Sequence, residues 1–150
     1  MTRNHNHLAW LGAALALLFL GAPSASAQQS PLVGFWRCTA QANGVAYVST
    51  FDYQANGRYV STQQMSVGNS SLEGGGGGTW RLENGILHDT KERATLDRYV
   101  RNGVEVPSTD PEWQSLYAQS QSNIGVTSSG PIRLEGDMAY SGMYTCQRQR

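Results

Sequence analysis

The chain has 150 residues, with 11 basic and 11 acidic side chains and a formal net charge of zero. That length supports one domain with a modest core, and the balanced charge excludes the basic field that nucleic-acid or anionic-membrane binding requires. With two cysteines and three histidines in the whole chain, there is no Cys-rich metal site to assemble, and nothing in the pattern calls for a metal or a cofactor.

In chain order, Arg3 opens a short polar segment that also holds His5 and His7. Leu8 to Leu20 (LAWLGAALALLFL) is largely apolar, and Ala25-Ser26-Ala27 supplies the small-x-small pattern read by a signal peptidase. The apolar run is shorter than the roughly 20 residues needed to span a bilayer. The expectation is a signal peptide over residues 1–27 and a mature domain over residues 28–150, periplasmic or secreted, with no integral membrane span. In that oxidising compartment Cys38 and Cys146 are expected to form an intramolecular disulfide, in preference to two free thiols or an intermolecular bridge.

The mature part reads as strands punctuated by turn signals. Gly34 to Gln41 alternates Trp36, Cys38 and Ala40 against Phe35, Arg37 and Thr39, and Asn43-Gly44 marks a hairpin turn. Val45 to Tyr53 puts Val45, Tyr47, Phe51 and Tyr53 on one face. After Asn56-Gly57, Arg58 to Met65 is a strand with no oily side: Tyr59, Ser61, Gln63 and Met65 oppose Arg58, Val60, Thr62 and Gln64. Such a strand suits either a polar cavity wall or a wet sheet edge, and the edge is the expected outcome.

Ser66 to Gly78, ending in five glycines, is expected to be a mobile connection. It lacks the lysine, hydroxyl and following helix of a phosphate loop. Strands are expected at Thr79 to Glu83, after the Asn84-Gly85 turn at Ile86 to Lys91, and at Ala94 to Arg101. Thr109-Asp110-Pro111-Glu112 fits a capping box with Thr109 as N-cap, and Trp113, Leu116 and Tyr117 form a short apolar helical stripe. Two helical turns cannot stand alone in water, so this helix should lie on the sheet or plug one end of it. A short strand near Ile124 to Thr127, another at Ile132 to Glu135, the Gly136-Asp137 turn, and a last strand over Met138 to Gln147 complete the pattern. On that last strand Met138, Tyr140, Gly142, Tyr144 and Cys146 should share one side. Seven or eight short strands with repeated Asn-Gly turns predict an antiparallel meander closed on itself.

The early Gly34-Phe35-Trp36, followed by up-and-down hairpins, resembles the calycin group: lipocalins, fatty-acid-binding proteins, avidins and bacterial protease inhibitors of similar shape. The resemblance implies an all-β, antiparallel up-and-down, lipocalin-like barrel of 7–8 strands with one short helix. It implies that Trp36 packs at the barrel base beneath a basic residue near the end of the chain, for which Arg148 and Arg150 are the candidates. It also implies a binding function. The resemblance implies a small apolar ligand, while the polar alternation of Arg58 to Met65 suggests a wetter interior; Tyr47, Tyr53, Tyr59, Tyr99, Tyr140 and Tyr144 are either lining residues of an amphipathic pocket or ordinary strand-core aromatics. Alternatively the ligand would be an envelope or secreted protein. A hydrolase inhibitor is the alternative, with Gln28 to Pro31 matching the segment that such inhibitors insert into their target. Enzymatic chemistry has the weakest basis. His88 is the only histidine of the mature part, and its neighbour Asp89 should point to the opposite face of the strand. A small hydrolase would need a nucleophile beside His88 in a cleft, and Glu83 with Asp89 is the one candidate carboxylate pair near a hairpin.

Overall fold

The computed structural model describes residues 30–150. The signal peptide expected over residues 1–27 lies outside the described residues. No helix among them is long and apolar enough to cross a membrane.

Ten strands and one helix follow in order: β1 (Gly34–Ala42), β2 (Val45–Tyr53), β3 (Arg58–Val67), β4 (Ser70–Glu83), β5 (Ile86–Arg101), β6 (Val104–Glu105), α1 (Pro111–Gln121), β7 (Thr127–Pro131), β8 (Arg133–Glu135), β9 (Met138–Ser141) and β10 (Tyr144–Arg148). All ladders are antiparallel, and the hydrogen-bonded path runs β6-β5-β4-β3-β2-β1-β10-β9-β8. The first and last long strands are therefore neighbours, with Cys38 opposite Cys146 in register. Those cysteines form a disulfide, their Cα atoms 3.9 Å apart and 108 residues apart in sequence.

The path is an up-and-down sheet and does not itself close into a hydrogen-bonded ring. One bent segment spans the gap. Its first half, β7, ladders on Ile86–Thr90 of β5, and its second half, β8, ladders on β9, with only Ile132 between them. Beyond Thr90 the β5 edge is covered differently: Gln121 of α1 donates to the Ala94 carbonyl, and the Lys91 amide and carbonyl pair with Val126 and Gly125. An exposed strand edge invites pairing with other chains, and this one is blunted by a helix and a loop.

Two of the three expected Asn-Gly turns behave as their composition dictates. Asn43 and Asn84 take φ of 52°, and Gly44 and Gly85 take 78° and 77°, the left-handed pair that a two-residue hairpin needs. The pattern Met138 to Gln147 is not one strand. Gly142, at φ +55°, turns the chain between β9 and β10. Across that turn Ala139 faces Cys146 and Tyr140 faces Thr145, so Tyr140 does not share the side of Cys146 as expected.

The five glycines are the largest departure from expectation. Gly74 to Gly78 are ladder residues of β4, bonded to β3 on one side and β5 on the other. Added Cβ atoms at Gly75 and Gly77 would lie 2.8 and 2.7 Å from the Ser61 and Tyr59 carbonyl oxygens of β3. At Gly76 the atom would lie 2.7 Å from Arg93 O, and at Gly74 and Gly78 it would fall on the Thr95 and Thr90 carbonyl oxygens of β5. Bulges bracket the run: Asp97 and Glu92 of β5 are skipped in the register. Bulges strengthen local twist and bend, and glycine leaves no side chain to clash with the carbonyls of the two flanking strands. Composition pointed to a loop because polyglycine is usually one; here long-range packing outweighs that local preference.

The base of the coiled sheet is the core. Leu32 and Trp36 are each 1 % exposed. The Trp36 indole donates to the Leu32 carbonyl at 2.8 Å, and the Arg148 guanidinium stacks 4.4 Å above its ring. The same guanidinium donates to the Pro31 and Val33 carbonyls, pinning the segment before β1. Gly34, at φ +134°, lies under Arg148, and an added Cβ would come within 2.6 Å of Nη1 and push that guanidinium aside. The Gly-x-Trp pattern thus has a local cause: the glycine clears a path for the arginine that covers the tryptophan. Arg150 instead pairs with Asp137 at 3.0 Å.

Helix α1 is capped by Asp110, not Thr109. The Asp110 carboxylate accepts from the Glu112 amide at 2.8 Å, with Pro111 in the first turn. Only part of the expected stripe faces inward: Leu116 borders the interior, while Trp113 and Tyr117 stack on each other at 5.4 Å.

Candidate functional site

The interior above the base is lined by alternate residues of successive strands. From β2 come Tyr47, Ser49, Phe51 and Tyr53; from β3, Tyr59, Ser61 and Gln63; from β5, Leu87, Asp89 and Lys91; from β10, Tyr144. The β3 pattern without an oily face is therefore a cavity wall, and the edge position expected for it is wrong. β3 is bonded on both sides, to β2 and β4. Its hydroxyl, phenol and amide groups face the interior, with Ser61 and Tyr59 buried.

Three chambers share these walls. An inner one of about 190 Å³ rests on Leu32, Trp36 and the disulfide. A larger one of about 500 Å³ opens past Asn123, Val126 and Ser128. These two share Phe51, Gln63, Asp89 and Tyr144. A third, of about 220 Å³, lies under Leu116 and shares Gln63, Lys91 and Tyr144 with the second. The glycines help to make this space, since Gly74 and Gly75 border the third chamber with no side chain to fill it.

Aromatic contacts fix one wall. Phe51 and Tyr53 stack at 5.6 Å, Tyr59 stands 6.1 Å from Tyr53, and Trp80 meets Tyr53 edge-on at 5.3 Å. The Trp80 indole donates to Arg58 O at 2.9 Å and so ties this cluster to the β2–β3 turn. Higher up, Tyr47 meets Tyr144 edge-on at 6.3 Å. Burial and the nearby Asp89 push the Tyr53 phenol far up and the Tyr59 phenol up to about 12. Both remain neutral and able to donate at any physiological pH.

Asp89 is the unusual group. It faces the same side as its register partner Trp80 and borders both the inner and the larger chamber. Burial pushes its carboxyl up, and Lys91 partly opposes that. The sign for stability is direct: a folded-state value above the unfolded 3.8 means that ionised Asp89 opposes folding as pH rises through the interval between them. Asp89→Asn is therefore expected to be more stable than the parent at neutral pH, with the gain vanishing below the ordinary carboxylate range. Denaturant midpoints measured across pH check this, and an equal difference at every pH would contradict it.

Of the six candidate tyrosines, the structure brings Tyr47, Tyr53, Tyr59 and Tyr144 to the interior. Tyr99 lies apart. Its hydroxyl donates to Glu112 at 2.8 Å, and Arg101 pairs with the same carboxylate, strapping the start of α1 to β5. Tyr140 lies on the other face, with Arg133 stacked 4.5 Å over its ring. The residues that sequence reasoning missed are Asp89 and Lys91 as interior charges, and Ser49, Ser61 and Gln63 as polar walls. The signal was the alternation itself, His88 and Thr90 against Asp89 and Lys91, but nothing local says which face is inside.

His88 does have a hydroxyl partner: its Nδ1 is 2.7 Å from Ser129 Oγ, and Nε2 is 3.8 Å from Glu83. The pair sits on the face opposite Asp89, across the β5–β7 ladder. The next register pair on the same face, Thr90 with Thr127, makes the same kind of 2.7 Å cross-strand contact. Such pairs are ordinary ladder stabilisers, and His88 borders none of the chambers above. Glu83 pairs with Arg81 at 3.0 Å on the outer face, so Glu83 and Asp89 are not brought together. No group of three or more His, Cys, Asp or Glu side chains gathers as a metal site among the described residues. No protein-family model and no curated protein matches this chain.

Proposed function

We propose that this protein is an exported, non-enzymatic binding module of calycin type that holds a small amphipathic ligand inside its coiled sheet. The observation that carries this reading is the set of connected chambers, aromatic on one wall, polar on another, with one charged pair of residues in reach. Ligand sites of small antiparallel barrels have this character: a mainly apolar cleft with few polar groups that orient the guest. The stacking of Arg148 on Trp36 supports the calycin assignment, and the disulfide supports a location outside the cytoplasm.

The test is occupancy of the interior. Phenylnaphthylamine, a neutral dye that brightens on leaving water, is expected to bind the parent protein at about one per chain. Ser49 is buried and borders the inner chamber, so Ser49→Trp should fill it and weaken the dye by roughly tenfold or more, as overfilled sites do. Circular dichroism shows whether that variant keeps its fold. Native mass spectrometry of the exported protein supplies the natural guest. Absence of dye binding and of any co-purifying small molecule would overturn the proposal.

A further inference from the structure

We infer that the interior takes a ligand with an ammonium head, seated against Asp89 among Phe51, Tyr59 and Tyr144, with its apolar part directed toward the mouth. This deepens the binding reading above and rests on it.

The argument begins with what Asp89 lacks. Burial and the field of Lys91 act on its carboxyl, and no group among the described residues donates a hydrogen bond to it. The carboxylate thus borders two chambers with its acceptor sites open. Half-burial of a carboxylate without a protein donor opposes its ionisation, so stability does not account for its place in this wall. A cationic guest supplies the missing partner.

The surroundings favour a cation over other donors. Phe51 and Tyr144 border both chambers that Asp89 borders, and Tyr59 borders the larger one. Aromatic faces attract ammonium groups through the negative face of the ring, most strongly where water is excluded. A carboxylate beside such faces is the chemistry that recognises protonated amines.

Lys91 is the other charge on this face, two residues further along β5. It borders the larger chamber and the one beneath Leu116, but not the inner one. Its long stem lets the ammonium reach toward the mouth and water, leaving Asp89 to the guest. An anionic guest would place like charge against a desolvated carboxylate, which is unfavourable. The apolar remainder of the guest has Leu72, Leu96 and Leu116 along the third chamber.

The experiment displaces phenylnaphthylamine with three six-carbon probes at one pH and ionic strength: hexylamine, hexanol and hexanoate. Equal chains hold the apolar contribution constant, so the comparison reads the head group. Hexylamine is expected to displace the dye at roughly tenfold lower concentration than hexanol, a preference in the range of a desolvated cation–aromatic contact, and hexanoate should be the weakest. In Asp89→Asn the amine should lose its advantage over hexanol. In Lys91→Met that advantage should widen, which keeps the test available if the first variant folds poorly. Hexanoate binding as well as hexylamine, or an amine preference that persists in Asp89→Asn, overturns the inference while binding in the interior stands. Failure of the dye to bind at all removes the binding reading, and this inference with it.

Discussion

Gly78→Ala is expected to destabilise the protein by roughly 3 kcal/mol or more, at the upper end of what overpacking costs. The added methyl would fall on the Thr90 carbonyl oxygen and crowd the Glu92 amide at 3.0 Å. Both are backbone atoms, so no side-chain rotation relieves the clash. Glu92 is the bulged residue beside Gly78 in the β4–β5 register, and moving it would undo the bend. Gly130→Ala is the control. It lies in β7 with nothing within 4 Å of an added Cβ and should change stability by no more than about 0.5 kcal/mol. Denaturant unfolding of the two variants decides the matter: similar midpoints would mean that the glycine run is slack, not structural.

Loss of the Cys38–Cys146 disulfide is the second large effect. The bond closes a loop spanning 108 residues, for which the chain-entropy relation gives about 5 kcal/mol of stabilisation through the unfolded state. For a domain of this size that corresponds to a fall in Tm of roughly 20 °C. Cys38→Ser with Cys146→Ser, compared with the oxidised parent in thermal melts, measures it. Both cysteines are buried on the inner-chamber wall, so the double serine variant also adds polar groups there. Chemical reduction of the parent separates the two contributions. An unchanged midpoint after reduction would show that the β1–β10 ladder holds the termini without covalent help.

The functional reading draws on the same construction. The glycines that let the strands approach also leave the interior unfilled, because they contribute no side chains at the level of Leu116 and Lys91. Asp89 borders the two adjoining chambers, where burial opposes its ionisation. A stable, empty core would have used an apolar residue there. Retention of an opposing carboxylate beside neutral tyrosines is what turns an incompletely filled interior into a candidate site.

The Asn-Gly turns, the antiparallel strand class, the short helix and the pairing of Cys38 with Cys146 were legible in the sequence, because each rests on local backbone preference or on chemistry that needs only two residues and a compartment. Trp36 under a basic residue was legible too, through a three-residue pattern, although the choice of Arg148 over Arg150 was not. That choice depends on which guanidinium reaches across Gly34. Tertiary structure alone decided the rest. It made a strand of the glycine run, because contacts with β3 and β5 forbid side chains there. It turned a polar strand into a cavity wall, because both its edges are bonded. It also sorted the tyrosines, sending Tyr140 to the opposite face and Tyr99 to the rim beside α1, and brought Asp89 inside. In each case alternation along a strand specifies two faces, and only the coiling of the whole sheet determines which of them is hidden from water.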